Sequence, residues 1–110
     1  MNSEIIRGLA QQYTSEYRNS SEYEIKKNYD RFNYTQAKIY RYYKFYTEEL
    51  KDGFTELYQL TPIISYQTCV AIADEKHGIF YEVGKYSTTT SKHCTQIYNT
   101  FYRDYKRVLI

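Results

Sequence analysis

The chain has 110 residues, the usual length of one domain with a single core, and its 15 Lys and Arg residues exceed its 13 Asp and Glu residues by two. The excess is +1 in residues 1–50 (eight minus seven) and +1 in residues 51–110 (seven minus six). This even balance argues against a strong nonspecific DNA binder, which usually has a clustered basic face, and against an acidic DNA mimic.

The aromatic content is high, with 16 Tyr and 5 Phe residues, whose rings can fill a core while the tyrosine hydroxyls turn toward water. There is no run of 18 apolar residues and no apolar block near Met1. We therefore expect no signal peptide, no membrane span and a cytoplasmic location. Cys69 and Cys94 are then expected to be reduced and mostly structural.

Two helices, or one kinked helix, are predicted in residues 1–35. Asn2 or Ser3 can cap the first, which should run to about Arg18. Ser21 and Glu24 form a capping-box pattern for the second. Apolar residues recur in both at spacings of three and four, which places them on one face of each helix. They are Ile5, Ile6, Leu9, Tyr13 and Tyr17 in the first helix and Ile25, Tyr29 and Phe32 in the second.

A sheet is predicted in residues 36–86. Residues 36–51 fit either a helix or a strand, and the Asp52-Gly53 hairpin signal with a return strand over 54–60 favours the strand. Pro62 should mark the end or edge of that return strand, because proline has no N–H to donate.

Further strands are predicted over 63–73 and 79–83, separated by a polar turn at 74–78. Residues 87–110 are predicted to contain a closing amphipathic helix that begins at Thr90 or Ser91. Its apolar stripe consists of Cys94, Ile97, Phe101 and Tyr105, with Tyr98 and Tyr102 beside it.

The predicted fold class is therefore α+β. We expect a single domain over residues 1–110, with N-terminal helices, an antiparallel sheet of three or four strands, and a C-terminal amphipathic helix packed on that sheet.

Two short motifs lie in the second half of the chain. The first, S-Y-x-T-x-V, lies in a predicted strand, and the second, Y-S-x-T-T-S-K-H, opens the predicted closing helix. Their fixed positions are Ser65, Tyr66, Thr68 and Val70 in the first motif, and Tyr86, Ser87, Thr89, Thr90, Ser91, Lys92 and His93 in the second. Over roughly residues 60–100 the chain resembles a family of small uncharacterised proteins encoded by bacteriophages and other mobile elements.

The resemblance implies a phage gene product that acts in the host cytoplasm. Such accessory proteins often bind a host enzyme, a defence complex or nucleic acid. Our first hypothesis is an inhibitor that occupies a surface of a host protein complex, for instance a CRISPR effector, which would make it an anti-CRISPR protein. The second is a nucleic-acid-binding accessory protein. Residues 1–60 could set the partner, and either a monomer or a homodimer is compatible with this pattern.

The hydroxyl-rich run before the closing helix has two interpretations. Thr89, Thr90 and Ser91, with Lys92 and His93, could bind a phosphate or a carboxylate at the helix start. Alternatively, one hydroxyl caps the helix, the others hold the turn, and His93 donates a hydrogen bond into the interior.

An aromatic and basic segment in residues 34–46 is the candidate partner-binding surface. In a strand, its alternate residues would share one face on which bases could stack or a protein could dock, although half-buried packing would give the same pattern. The candidate residues are Tyr34, Lys38, Tyr40, Arg41, Tyr42, Lys44 and Tyr46.

Neither a metal, a cofactor nor an enzymatic activity is expected. The possible zinc ligands Cys69, His77, His93 and Cys94 match no zinc-site spacing. The chain has no glycine-rich phosphate loop and no recognisable arrangement of nucleophile and base. The sequence therefore predicts a binding protein rather than a catalyst.

Overall fold

A computed structural model describes residues 1–31, 39–41, 44–49, 51–84 and 88–110. Within those ranges, three helices flank one sheet of seven strand segments. The helices are α1 (Ser3–Arg18), α2 (Glu22–Asn28) and α3 (Thr88–Phe101). The strands are β1 (Asp30–Arg31), β2 (Ile39–Arg41), β3 (Lys44–Glu49), β4 (Thr55–Ser65), β5 (Thr68–Asp74), β6 (Ile79–Glu82) and β7 (Lys106–Leu109).

The strand order is β1-β2-β4-β5-β6-β7, and β3 pairs with the first half of β4. All pairs are antiparallel except β6 with β7, which is parallel. The predicted α+β class is confirmed, and each predicted strand region contains strand. β1 and β7 extend the sheet at its two ends beyond the regions that the sequence indicated.

The two N-terminal helices begin as predicted. The side chain of Asn2 accepts a hydrogen bond from the backbone N–H of Ile5, at 2.9 Å. Ser21 and Glu24 form the reciprocal capping box at the start of α2. Both caps satisfy N–H groups that a helix start leaves without a partner. The second helix ends at Asn28, so Tyr29 lies just beyond it, and Phe32 is outside the described residues.

The strand prediction for residues 39–41 and 44–49 is confirmed. β3 pairs with β4 from Lys44 opposite Leu60 to Glu49 opposite Thr55. The Asp52-Gly53 turn joins them: Gly53 has a φ of +86°, and the side chain of Asp52 accepts a hydrogen bond from the N–H of Phe54. A positive φ is the conformation that favours glycine at such a turn.

The prediction for Pro62 was wrong. Pro62 lies inside β4, a central strand, and faces Ile72 of β5. Neighbouring residues of an antiparallel strand direct their hydrogen bonds to alternate sides, so one proline removes a single donor. The eleven-residue strand tolerates that loss.

The prediction of one strand over 63–73 was also wrong, because a two-residue turn at Tyr66 and Gln67 divides it into the end of β4 and the whole of β5. The register shifts close to this turn: Ile63 faces Ala71, whereas Ile64 faces Cys69. The extra residue, Val70, forms a β-bulge, a feature that bends a strand and increases its twist.

Each face of the sheet has its own hydrophobic core. On one face, α1 packs through the predicted Ile6, Leu9, Tyr13 and Tyr17, and through Ala10, against residues of β4, β5 and β6, while the predicted Ile5 is only partly buried. On the other face, α3 packs through Cys94 and Ile97. The sheet residues under α3 are Ile63, Val70, Ala71, Ala73 and Phe80.

The C-terminal segment departs from the prediction of helix through residues 87–110. The helix starts at Thr88, ends at Phe101, and is followed by β7. Phe101 is 40% exposed, whereas Tyr102 is 2% exposed and belongs to the core under α3. The guanidinium of Arg107 donates from Nε and Nη2 to Oε2 of Glu82, which ties β7 to β6.

Candidate functional site

The two-residue turn between β4 and β5 has residue types that are unusual for its backbone. Tyr66 has a φ of +52° and Gln67 a φ of +80°, although neither is a glycine. This left-handed region costs a residue with a side chain about 1–2 kcal/mol. Such strained residues often lie at functional sites. The turn also presents a large ring to the solvent, since Tyr66 is 58% exposed.

Arg18, in the last turn of α1, holds this turn from one side. Its Nε donates to the carbonyl of Gln67 and its Nη2 donates to the hydroxyl of Thr68, both at 3.1 Å. A second link lies one helical turn earlier, where the Thr14 hydroxyl accepts from the N–H of Cys69 at 2.9 Å. Three hydrogen bonds therefore fix the start of β5 to α1.

His93 of α3 contacts the turn from the other side. The rings of Tyr66 and His93 have centroids 5.8 Å apart and an interplanar angle of 34°. This contact joins the two sequence motifs, because Tyr66 belongs to the first and His93 to the second. The order of residue types in the sequence defines each motif, but only the folded chain brings the two motifs into contact.

Two buried polar atoms near this contact have no hydrogen-bond partner among the described residues: Oγ of Ser65, next to Tyr66 in the chain, and Nδ1 of His93. The expected hydrogen bond from His93 into the interior is therefore absent at Nδ1 in the described part of the chain. A buried polar atom without a partner costs about 1–3 kcal/mol, and most native proteins avoid it.

The helix start differs from the one that the sequence predicted. Because α3 begins at Thr88, the residues Thr89, Thr90 and Ser91 lie in its first turn rather than before it, and Lys92 and His93 follow within the helix. Ser91 and Lys92 line a shallow surface cavity of about 350 Å³ with Thr95 and Gln96, and Lys92 is exposed. Of the polar groups in this part of α3, the imidazole of His93 is the one that contacts the Tyr66 ring.

The predicted surface in residues 34–46 is only partly described. Tyr34, Lys38 and Tyr42 lie outside the described residues, as do Tyr86 and Ser87 of the second motif.

The remaining positions of that surface lie on the short strands that pair with β4, with Tyr40 and Arg41 in β2 and Lys44 and Tyr46 in β3. The Cα partners of Tyr40, Lys44 and Tyr46 are Ile64, Leu60 and Tyr58, in that order. These three partners belong to the core under α1. Partner binding by this segment stays a prediction.

A second polar cluster, which the sequence did not indicate, closes the turn between β5 and β6. Asp74, 1% exposed, accepts hydrogen bonds at Oδ1 from the N–H groups of Lys76 and His77, and its Oδ2 lies 2.9 Å from Nδ1 of His77. Nε2 of His77 lies 3.0 Å from Oε1 of Glu56. An aspartate at the first position of a polar turn is the local signal for this arrangement.

Glu56 completes that cluster. The Tyr58 hydroxyl, which donates to Oε2 of Glu56 at 2.9 Å, and the ammonium of Lys76, 3.2 Å from Oε1, lower the pKa of Glu56 below its ordinary value of 4.5. Every polar group in the cluster contacts another member. We therefore assign it to stabilising the turn.

The two cysteines do not form a disulfide, and both are buried. Burial raises the pKa of Cys69 and the pKa of Cys94 to about 12. A reactive cysteine needs its thiolate at neutral pH, so neither side chain has the properties of a nucleophile. In the described ranges, no three His, Cys, Asp or Glu residues are grouped so that they could hold a metal ion.

These features define a small α+β domain with a helical layer on each face of the sheet. Both layers contact one strained turn that contains an exposed tyrosine. None of the helices in the described ranges is long and apolar enough to cross a membrane. The chain belongs to a family of unknown function, DUF8033, whose model matches residues 9–108. Comparison with curated proteins and with solved structures gave no match.

Proposed function

We propose that this protein acts by binding, and that it occupies a surface of a host protein complex, such as a phage-defence complex, through the turn at Tyr66. The proposal takes its partner class from the resemblance of the two motifs to phage proteins. It takes its binding site from the structure around Tyr66.

The observation that carries the proposal is the exposure of Tyr66 on a strained turn. Tyrosine and arginine are the residue types most enriched at the energetic centres of protein interfaces, partly because a rigid ring loses little entropy on binding. The turn is held by Arg18 on one side and contacts His93 on the other, so its backbone is already ordered before a partner binds. Ordering before binding reduces the entropic cost of association.

The helix beside the ring supports a protein partner. The exposed Lys92 lies on α3 next in the chain to His93, the residue that contacts the Tyr66 ring, and charged and polar side chains are typical of the rim around an aromatic interface centre.

The test is a pull-down from bacterial lysate with immobilised protein, at about 0.15 M ionic strength and after nuclease treatment. We expect wild-type protein to retain one stoichiometric protein partner and Tyr66→Ala to lose it. Tyr23→Ala is the matched control, since Tyr23 is 72% exposed but lies on α2. Circular dichroism should show that all three proteins are folded.

The affinity for the recovered partner is then measured with purified components. Removing an interface centre typically costs at least about 2 kcal/mol, so Tyr66→Ala should weaken binding about thirtyfold. Equal affinities for the Tyr66 and Tyr23 variants would refute the role of the turn. Retained material that disappears on nuclease treatment would favour the nucleic-acid alternative over a protein partner.

A further inference from the structure

A groove runs along the exposed side of α1, separate from the Tyr66–His93 contact. It has a volume of about 450 Å³ and is lined by residues of α1 and β5 and by Val83, just after β6. Among the described residues, its polar lining consists of Arg7, Gln11, Thr14, Ser15, Arg18 and Thr68, with no Asp or Glu.

The positions on α1 explain the shape of the groove. Arg7, Gln11, Thr14 and Arg18 recur at spacings of four, three and four, so they form one stripe along the helix. Eleven residues separate the two arginines, which is roughly 16 Å along the helix axis at 1.5 Å per residue. The groove therefore has a guanidinium toward each end and amide and hydroxyl groups between them.

Neither guanidinium has a carboxylate partner in the described part of the chain. Arg7 is exposed and makes no ion pair there, and Arg18 bonds only to a carbonyl and a hydroxyl, which leaves its charge uncompensated. Cys69 lies at the base of the groove, and since burial raises the pKa of its thiol to about 12, it adds no negative charge at neutral pH.

We infer that this groove binds phosphate groups of a nucleotide ligand, either a free nucleotide or a short stretch of single-stranded nucleic acid. Guanidinium forks recognise phosphate oxygens, often through two hydrogen bonds at once. Two separated guanidiniums fit a ligand with more than one phosphate better than a single inorganic ion. The hydroxyls and amide of Gln11, Ser15 and Thr68 can donate to the remaining phosphate or sugar oxygens.

The charge of the whole chain does not oppose this inference. A net charge of +2 spread along the sequence makes strong nonspecific binding to long DNA unexpected. We expect a site with two arginines to bind its ligand with modest affinity instead. That affinity should depend only weakly on salt, as is expected for roughly two phosphate contacts.

The test uses the full chain and two probes, a fluorescent ten-nucleotide oligothymidylate and thymidine diphosphate as competitor. Anisotropy at low salt should show binding of the oligonucleotide. Arg7→Gln should weaken that binding about tenfold, because it removes one charged hydrogen-bond donor group, and should lower the salt slope by about one. Arg103→Gln, an exposed arginine outside the groove, removes the same charge and should leave the affinity unchanged.

Arg7 is the informative position because its side chain supports no other element in the described structure, whereas Arg18 also holds the β4–β5 turn. A second variant, Gln11→Glu, places a carboxylate in the middle of the groove and should weaken binding further. Competition by thymidine diphosphate would assign the site to free nucleotides, and binding of the oligonucleotide alone would assign it to a strand. Absence of binding by both the oligonucleotide and a fluorescent thymidine diphosphate, or equal losses for Arg7→Gln and Arg103→Gln, would overturn the inference.

Discussion

The guanidinium of Arg18 donates a hydrogen bond to the carbonyl of Gln67, 49 residues further along the chain, and so joins the last turn of α1 to the β4–β5 turn. The turn is therefore supported by a side chain from another element while its own residues are in an unfavourable conformation. Two predictions test these two aspects separately.

Replacing Gln67 by glycine should stabilise the protein. The φ of +80° at Gln67 is freely available to glycine, and the exposed side chain of Gln67 is not part of either core. We expect a gain of about 0.5–1 kcal/mol in the free energy of unfolding, after the greater freedom of glycine in the unfolded chain is subtracted. Urea denaturation measures it. Gln11→Gly, inside α1, is the matched control and should destabilise by about 1 kcal/mol; a loss for Gln67→Gly as well would show that the turn is unstrained.

Removing the Arg18 side chain should destabilise the protein by about 1 kcal/mol. Arg18→Ala deletes the hydrogen bonds to Gln67 and Thr68, which are exposed to solvent and so contribute toward the low end for charged donors. Arg7→Ala removes an exposed arginine from the same helix and should change stability by less than about 0.5 kcal/mol. Thermal denaturation of both variants provides the comparison, and identical melting temperatures would contradict the role of Arg18.

The end of α3 gives a third prediction, because adjacent aromatic residues differ sharply in burial. Tyr102 is 2% exposed and contacts Phe80, with ring centroids 5.3 Å apart, whereas Phe101 is 40% exposed. Tyr102→Ala should cost about 3 kcal/mol or more, as expected for a large ring removed from a core, and Phe101→Ala about 1 kcal/mol or less. If chemical denaturation showed a larger loss of stability for Phe101→Ala than for Tyr102→Ala, the result would favour the predicted apolar stripe, which contains Phe101 and not Tyr102.

Glu56 gives a prediction for pH. Its pKa is lowered in the folded protein, chiefly by the hydrogen bond from Tyr58 and then by Lys76, so ionised Glu56 stabilises the fold. That contribution is present above the ordinary pKa of 4.5 and is lost as the pH falls through the lower pKa of the folded state. Wild type should therefore melt higher than Glu56→Gln at pH 7, and the difference should shrink as the pH falls through the folded-state pKa, which lies below 4.5.

The control for this experiment is Asp104→Asn, which removes an exposed carboxylate that lies outside the helices and strands. Its difference from wild type should not depend on pH in the same way. A constant gap between wild type and Glu56→Gln from neutral to acidic pH would show that the ionised carboxylate is not what stabilises the turn.

Local patterns succeeded where a few neighbouring residues decide the structure. The Asn2 cap, the Ser21–Glu24 capping box and the Asp52-Gly53 hairpin were all predictable, because each depends on hydrogen bonds within four residues. The apolar face of α1 was predictable for the same reason, since helical spacing alone places its members together.

The same patterns failed where the deciding contact is distant. The turn at Tyr66 and Gln67 contains neither Gly nor Asn, so no local signal marked it, and Arg18 and Thr14 hold the chain there from α1. Tyr102 was placed beside the apolar stripe, because spacing could not show that Phe80 would lie opposite it.

The sequence by itself determined the α+β class, the starts of α1 and α2 and the two motifs that contain Tyr66 and His93. The tertiary structure decided that those two rings meet, that Arg18 holds the turn, and that residues 106–109 become a strand beside β6. The physical reason is separation along the chain. Helix caps and periodic faces follow from interactions between near neighbours, whereas sheet register and helix packing join segments whose contact no local pattern encodes.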